Sequence, residues 1–139
     1  MDLSNNIWIG GLPIGRDWTE KETLYNLSSL PSDKKIIIDL ADIYSNGKGF
    51  EILKIIHNQL PSNVHVSLKF GLESHYKNNR FNVSKKKFEK DELYSKVSKF
   101  LENFSAHKIY SIQLHCMPPD IESIYNFRHS FLKLKDQIP

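Results

Sequence analysis

The chain has a single cysteine, Cys116, so no internal disulfide can form, which fits a reducing cytosol. No apolar run approaches the length of a membrane span, and no basic segment followed by an apolar stretch opens the sequence, so a soluble, cytoplasmic protein is expected, without membrane contact. Charge of one sign is scarce too. The net charge of +3 is spread along the chain, and no basic cluster is interleaved with aromatics, so nucleic acid is not an expected partner. The glycines of Gly10-Gly11-Leu12-Pro13-Ile14-Gly15 lack the spacing of a dinucleotide fingerprint and read as a turn. No metal-ligand cluster is assigned. With 40% apolar and 25% charged residues in 139 positions, the composition is that of one folded domain.

What is present alternates between two periods. Ile7-Trp8-Ile9 reads as a short strand. Thr19-Glu20-Lys21-Glu22 fits a capping box at the start of a helix carrying Leu24, Leu27 and Leu30, which Pro31 ends. Ile36-Ile37-Ile38 is a strand buried on both faces. A second helix is expected from Phe50 to Leu60, then a strand Val64–Phe70 ending at Gly71. From Leu72 to Lys90 no period is clear and a polar loop is expected, with Lys85-Lys86-Lys87 solvated. The third helix has Leu93, Val97, Phe100, Leu101 and Phe104 on one face, with Lys96, Lys99 and Glu102 on the other. A last strand, Ile109–Leu114, precedes a helix started by Pro118-Pro119-Asp120, whose apolar residues are Ile121, Ile124, Phe127, Phe131, Leu132 and Leu134. Strand and helix thus alternate four times, which predicts a parallel α/β sheet with right-handed crossovers.

In a parallel sheet the C-terminal strand ends share one rim, where ligands and chemistry sit. Three of these ends carry reactive side chains: Asp39 with Tyr44, then Lys69, then His115. Each alone has an ordinary structural explanation, as a loop cap, a helix cover, a snorkelling lysine and a core-edge histidine. Together they make chemical sense. A phenol is a poor acid near neutrality, and a nearby ammonium favours its ionised form. A carboxylate holds that ammonium charged and in place, and an imidazole can orient a substrate oxygen. The set describes a proton donor for a carbonyl oxygen. Cys116 follows His115 and points to the opposite face of its strand, so a thiol nucleophile is not expected.

The segments Asp39-Leu40-Ala41-Asp42-Ile43-Tyr44 with Asn46-Gly47, Leu68-Lys69-Phe70-Gly71 and Gln113-Leu114-His115 resemble, in order, the Asp-x-Ala-x-x-Tyr, Thr-Lys-Phe/Leu and Leu-His motifs of the aldo/keto reductases. These are (β/α)8 barrels that reduce aldehydes and ketones with NADPH. The resemblance implies Tyr44 as general acid, Lys69 as the group that eases its ionisation, Asp39 as the partner of Lys69, and His115 as the substrate-positioning residue. Asp42 falls on a variable position of the motif and is expected to be structural or solvated. Leu40, Ser45, Gly49-Phe50 and Cys116-Met117 depart from the family's usual residues without removing a catalytic group.

Such a barrel needs about 250 residues, so residues 1–139 amount to a single partial domain of about four of eight (β/α) units, a half-barrel of TIM-barrel type. The family's nicotinamide and adenosine-phosphate contacts lie in the other half, so no cofactor-binding residue is assigned. The expectation is a truncated NAD(P)H-dependent carbonyl reductase that self-associates or needs a second chain to complete the barrel. The rival is a non-catalytic binding or regulatory subunit on the same fold. Unpaired strand edges favour association in either case.

Overall fold

The computed structural model describes residues 6–77 and 80–138. Strand β1 (Asn6–Gly10) is followed by helix α1 (Glu20–Ser28), β2 (Lys35–Ala41), α2 (Lys48–Ile56) and β3 (Val64–Phe70). Two further strands, β4 (Leu72–Lys77) and β5 (Arg80–Lys85), precede α3 (Glu92–Leu101), β6 (Ile109–Leu114) and α4 (Ile121–Leu134). The main sheet has the order β1-β2-β3-β6, with every pair parallel. This is the expected run of (β/α) units, half of a TIM-type barrel.

One face of the sheet packs on the helices. Ile36, Ile38, Leu40, Val64, Val66 and Leu68 are fully buried there against Leu27, Leu53, Ile56, Leu93 and Val97. Phe50 meets Phe70 at 5.9 Å and Phe100 at 5.2 Å between ring centroids, and these contacts tie α2, β3 and α3 into one core. The other face carries Asp39 of β2 opposite Ser67 of β3, with Lys69 two residues further along β3 as a strand's period of two requires.

That second face is rolled inward. Trp8 on β1 and Tyr110 on β6 lie on the outer strands of the sheet, yet their rings meet edge-on at 5.4 Å. In a flat sheet three strand spacings would hold them about 14 Å apart. Tyr110 occupies a bulge, since Val66 pairs with Ile109 and Ser67 with Ser111. The extra residue re-aims the side chain and bends the strand. The fold therefore has the curvature of a barrel wall as well as its topology.

Four expectations need correction. The segment Leu72–Lys90 is not a loop throughout: β4 and β5 form an antiparallel hairpin beside the rim. Lys86 is not solvated, because Glu92 pairs with it at 2.7 Å and only 15% of its side chain is exposed. Helix α4 buries less than its apolar content predicts: Leu134 is buried, while Ile121, Phe131 and Leu132 are exposed, since none of the described residues covers that side. Helix α2 ends at Ile56, and a 3-10 turn over His57–Gln59 completes the stretch to Leu60. The capping box of α1 is formed in full, with Thr19 N–H donating to Glu22 at 2.8 Å. Among the described residues no helix is long and apolar enough to cross a membrane.

Candidate active site

Each residue of the site is fixed by backbone at the rim. Gly11 N–H donates to the Asp39 carbonyl at 2.8 Å, so the loop leaving β1 crosses the end of β2. A side chain at Gly11 would sit 2.7 Å from Leu40 Cδ1 and 3.0 Å from the Asp39 carbonyl oxygen, which explains a glycine there. Beyond β2, Asp42 N–H donates to the Lys69 carbonyl and holds the departing chain against β3. Beyond β6, His115 N–H donates to the Phe70 carbonyl at 2.6 Å on the other side of β3. Tyr44 opens a tight turn in which Ser45 (φ 53°), Asn46 (φ 54°) and Gly47 (φ 83°) all take left-handed backbone. For Ser45, where the motif commonly has glycine, this conformation is costly. Its hydroxyl donates to the Ile14 carbonyl at 3.3 Å, which offsets part of that cost.

Lys69 is the hub. Its ammonium donates to Asp39 Oδ2 at 2.9 Å and to the Tyr44 phenol oxygen at 3.2 Å. Its side chain is 16% exposed and that of Asp39 34%. Burial works against the charged ammonium, but the bonds and charges of Asp39 and Tyr44 outweigh it and raise its pKa above the ordinary lysine value. The His115 ring stands edge-on to Tyr44 with centroids 6.0 Å apart. Burial, then the Lys69 charge, pull the His115 pKa below its usual value, against opposing pulls from Asp42 and Asp39. The imidazole is therefore neutral near pH 7.

The structure thus brings together all four residues singled out in the sequence: Asp39, Lys69 and Tyr44 are directly bonded, and His115 lies in ring contact with Tyr44. Of the two expectations for Asp42, structural or solvated, the structure shows the first. Its side chain is 12% exposed and pairs with Lys96 of α3 at 3.1 Å, and burial raises its pKa while Lys96 pulls it back. Lys96 reads in the sequence as a solvent-face residue. A charged residue just past a buried strand, with a lysine on the helix that covers that strand end, was the available signal. A second polar group went unread: Ser67, Ser111 and Gln113 form a hydrogen-bonded triangle with sides of 2.7 to 2.9 Å, below the rim.

Chemically, a phenol whose oxygen accepts from an ammonium keeps its own O–H free for a third partner. The arrangement places a phenol, an ammonium and a carboxylate, hydrogen-bonded in series, at the rim of a partial (β/α) barrel. No family model and no curated protein sequence matches the chain. Among solved structures, it is similar to the glycerol dehydrogenase AKR11B4 from Gluconobacter oxydans, an aldo/keto reductase, with a TM-score of 0.66 and 21% identity. The likeness covers 94% of this chain and 41% of that one. It establishes the fold as that of part of an aldo/keto reductase barrel, and this chain spans less than half the length of that protein.

Proposed function

We propose that this chain carries the proton-transfer site of an aldo/keto reductase-type oxidoreductase acting on an aldehyde or ketone and the corresponding alcohol. One observation carries the reading: the Lys69 ammonium bridges the Asp39 carboxylate and the Tyr44 phenol oxygen at 2.9 and 3.2 Å. Tyr44 gives its proton to a carbonyl oxygen as negative charge develops there. Lys69, kept charged by Asp39, stabilises the phenolate left behind, and His115 positions the reacting oxygen. The motifs and the barrel fold support the same assignment.

The nicotinamide cofactor, NADPH or NADH, would supply the hydride. By the family resemblance, the groups that hold this cofactor belong to the half of the barrel that these residues do not supply. A cleft of about 560 Å³ lies between residues Gly15–Lys21 and α2; none of the four site residues lines it, and it mixes Arg16 and Lys48 with Asp17 and Glu51. We therefore place the cofactor-holding groups in barrel strands outside these 139 residues, on a further segment or a second chain. A tagged chain recovered from its own cells with whatever completes it tests the proposal. Nicotinamide-linked reduction of a test aldehyde is expected. An assembled protein that binds other proteins but neither NADPH nor NADH would favour the non-catalytic subunit instead.

A further inference from the structure

Two polar atoms at the rim stand out. Asp42 Oδ1 and His115 Nδ1 are both buried, and among the described residues neither has a hydrogen-bond partner. A buried polar atom without a partner costs about 1–3 kcal/mol, so two on one rim call for a common explanation. Their positions supply it. Asp42 and His115 flank the end of β3, each anchored through its own N–H, to the carbonyls of Lys69 and Phe70 respectively. Each lies close enough for its charge to act on the other. One atom is an acceptor and the other is a ring nitrogen able to carry a proton.

We propose that Asp42 is the positioning residue of His115: its Oδ1 accepts, through one bridging water, the proton of Nδ1–H and so fixes the imidazole tautomer. Asp42 is itself held by Lys96 through Oδ2, which leaves Oδ1 as the free acceptor. The other groups whose charge reaches this pair are Lys86 beside Asp42, and Asp39 and Lys69 beside His115.

The consequence concerns the substrate side. With its proton on Nδ1, a neutral imidazole presents Nε2 as a bare acceptor. It then takes a hydrogen bond from an alcohol O–H and has none to give to a carbonyl oxygen. Donation to the carbonyl is left to Tyr44, and His115 becomes the group that seats the hydroxyl of the alcohol. This consequence rests on the reductase reading above, whereas the tautomer rests on the two unpartnered buried atoms flanking β3.

The test is a long-range proton–nitrogen NMR correlation on the chain labelled with 15N-histidine, at neutral pH, with the His115 signals assigned by their loss in His115→Asn. The expected result is His115 protonated on Nδ1 in the wild type. In Asp42→Leu, which has the same branched heavy-atom skeleton but lacks an acceptor, the population should move to the Nε2–H form. Wild-type His115 protonated on Nε2 would overturn the proposal whether or not the variant folds, as would a tautomer unmoved in a folded Asp42→Leu. Failure of the reductase reading would show instead as absent turnover with the NMR pattern intact.

Discussion

Replacing Lys69 by Met keeps most of the side chain's length and removes its charge. A hydrogen bond to a charged group contributes about 1.5–3 kcal/mol, and the bond to Asp39 Oδ2 is 2.9 Å long with the lysine only 16% exposed. Asp39 is 34% exposed, so water recovers part of the loss, and the apolar thioether regains more. The net expectation is a loss of about 1–2 kcal/mol at neutral pH. That lowers Tm by about 3–7 °C, at about 2.1 cal/mol/K of unfolding entropy per residue. The pH dependence gives a sharper criterion. Burial opposes the ammonium, but Asp39 and Tyr44 raise the folded pKa above 10.5. The stabilisation is then complete below 10.5 and disappears as pH rises through the higher folded value. Denaturant melts of wild type and Lys69→Met should differ at neutral pH and converge above the lysine range. Equal stability at neutral pH, or identical alkaline slopes, would refute the argument that Lys69 is held by these two partners.

Three further outcomes are expected. Ser45→Ala keeps the left-handed backbone and loses the bond to Ile14, so Ser45→Gly should exceed it in stability by about 1 kcal/mol in urea melts; equal values would mean the turn is unstrained. Gly11→Ala forces a methyl group against Leu40 and the Asp39 carbonyl and should cost about 1–3 kcal/mol, whereas Gly10→Ala, with open space around it, should cost less. Burial lowers the pKa of His65 below 6.5, so its stabilisation is complete above that value and is lost as pH falls below it; His65→Gln should flatten that part of the pH–stability curve.

The fold was legible because its signals are local and strong. Ile36-Ile37-Ile38 is buried to 0% exposure, and Leu93, Val97 and Phe100 face the core as their helical spacing requires. The site was legible because a parallel sheet puts its strand ends on one rim, so Asp39, Lys69 and His115 needed no distance information to be grouped. The misses have a different physics. In β4 and β5 the alternation is blurred by polar residues such as Glu73, Ser74 and His75, and pairing across two strands cannot be read from either one alone. Apolar residues of α4 read as core because periodicity shows a face and not what covers it. Asp42 was set aside on motif position, whereas its ion-pair partner, Lys96, lies 54 residues away.

The central claim is that Tyr44 is the proton donor. Nicotinamide-linked aldehyde reduction by the assembled protein, wild type against Tyr44→Phe, tests it most directly. The substitution removes one hydroxyl and leaves the Asp39–Lys69 pair in place. The account predicts a fall of about 10²–10⁴-fold in kcat with little change in Tm, the usual worth of a positioned general acid. Undiminished turnover in Tyr44→Phe would contradict it.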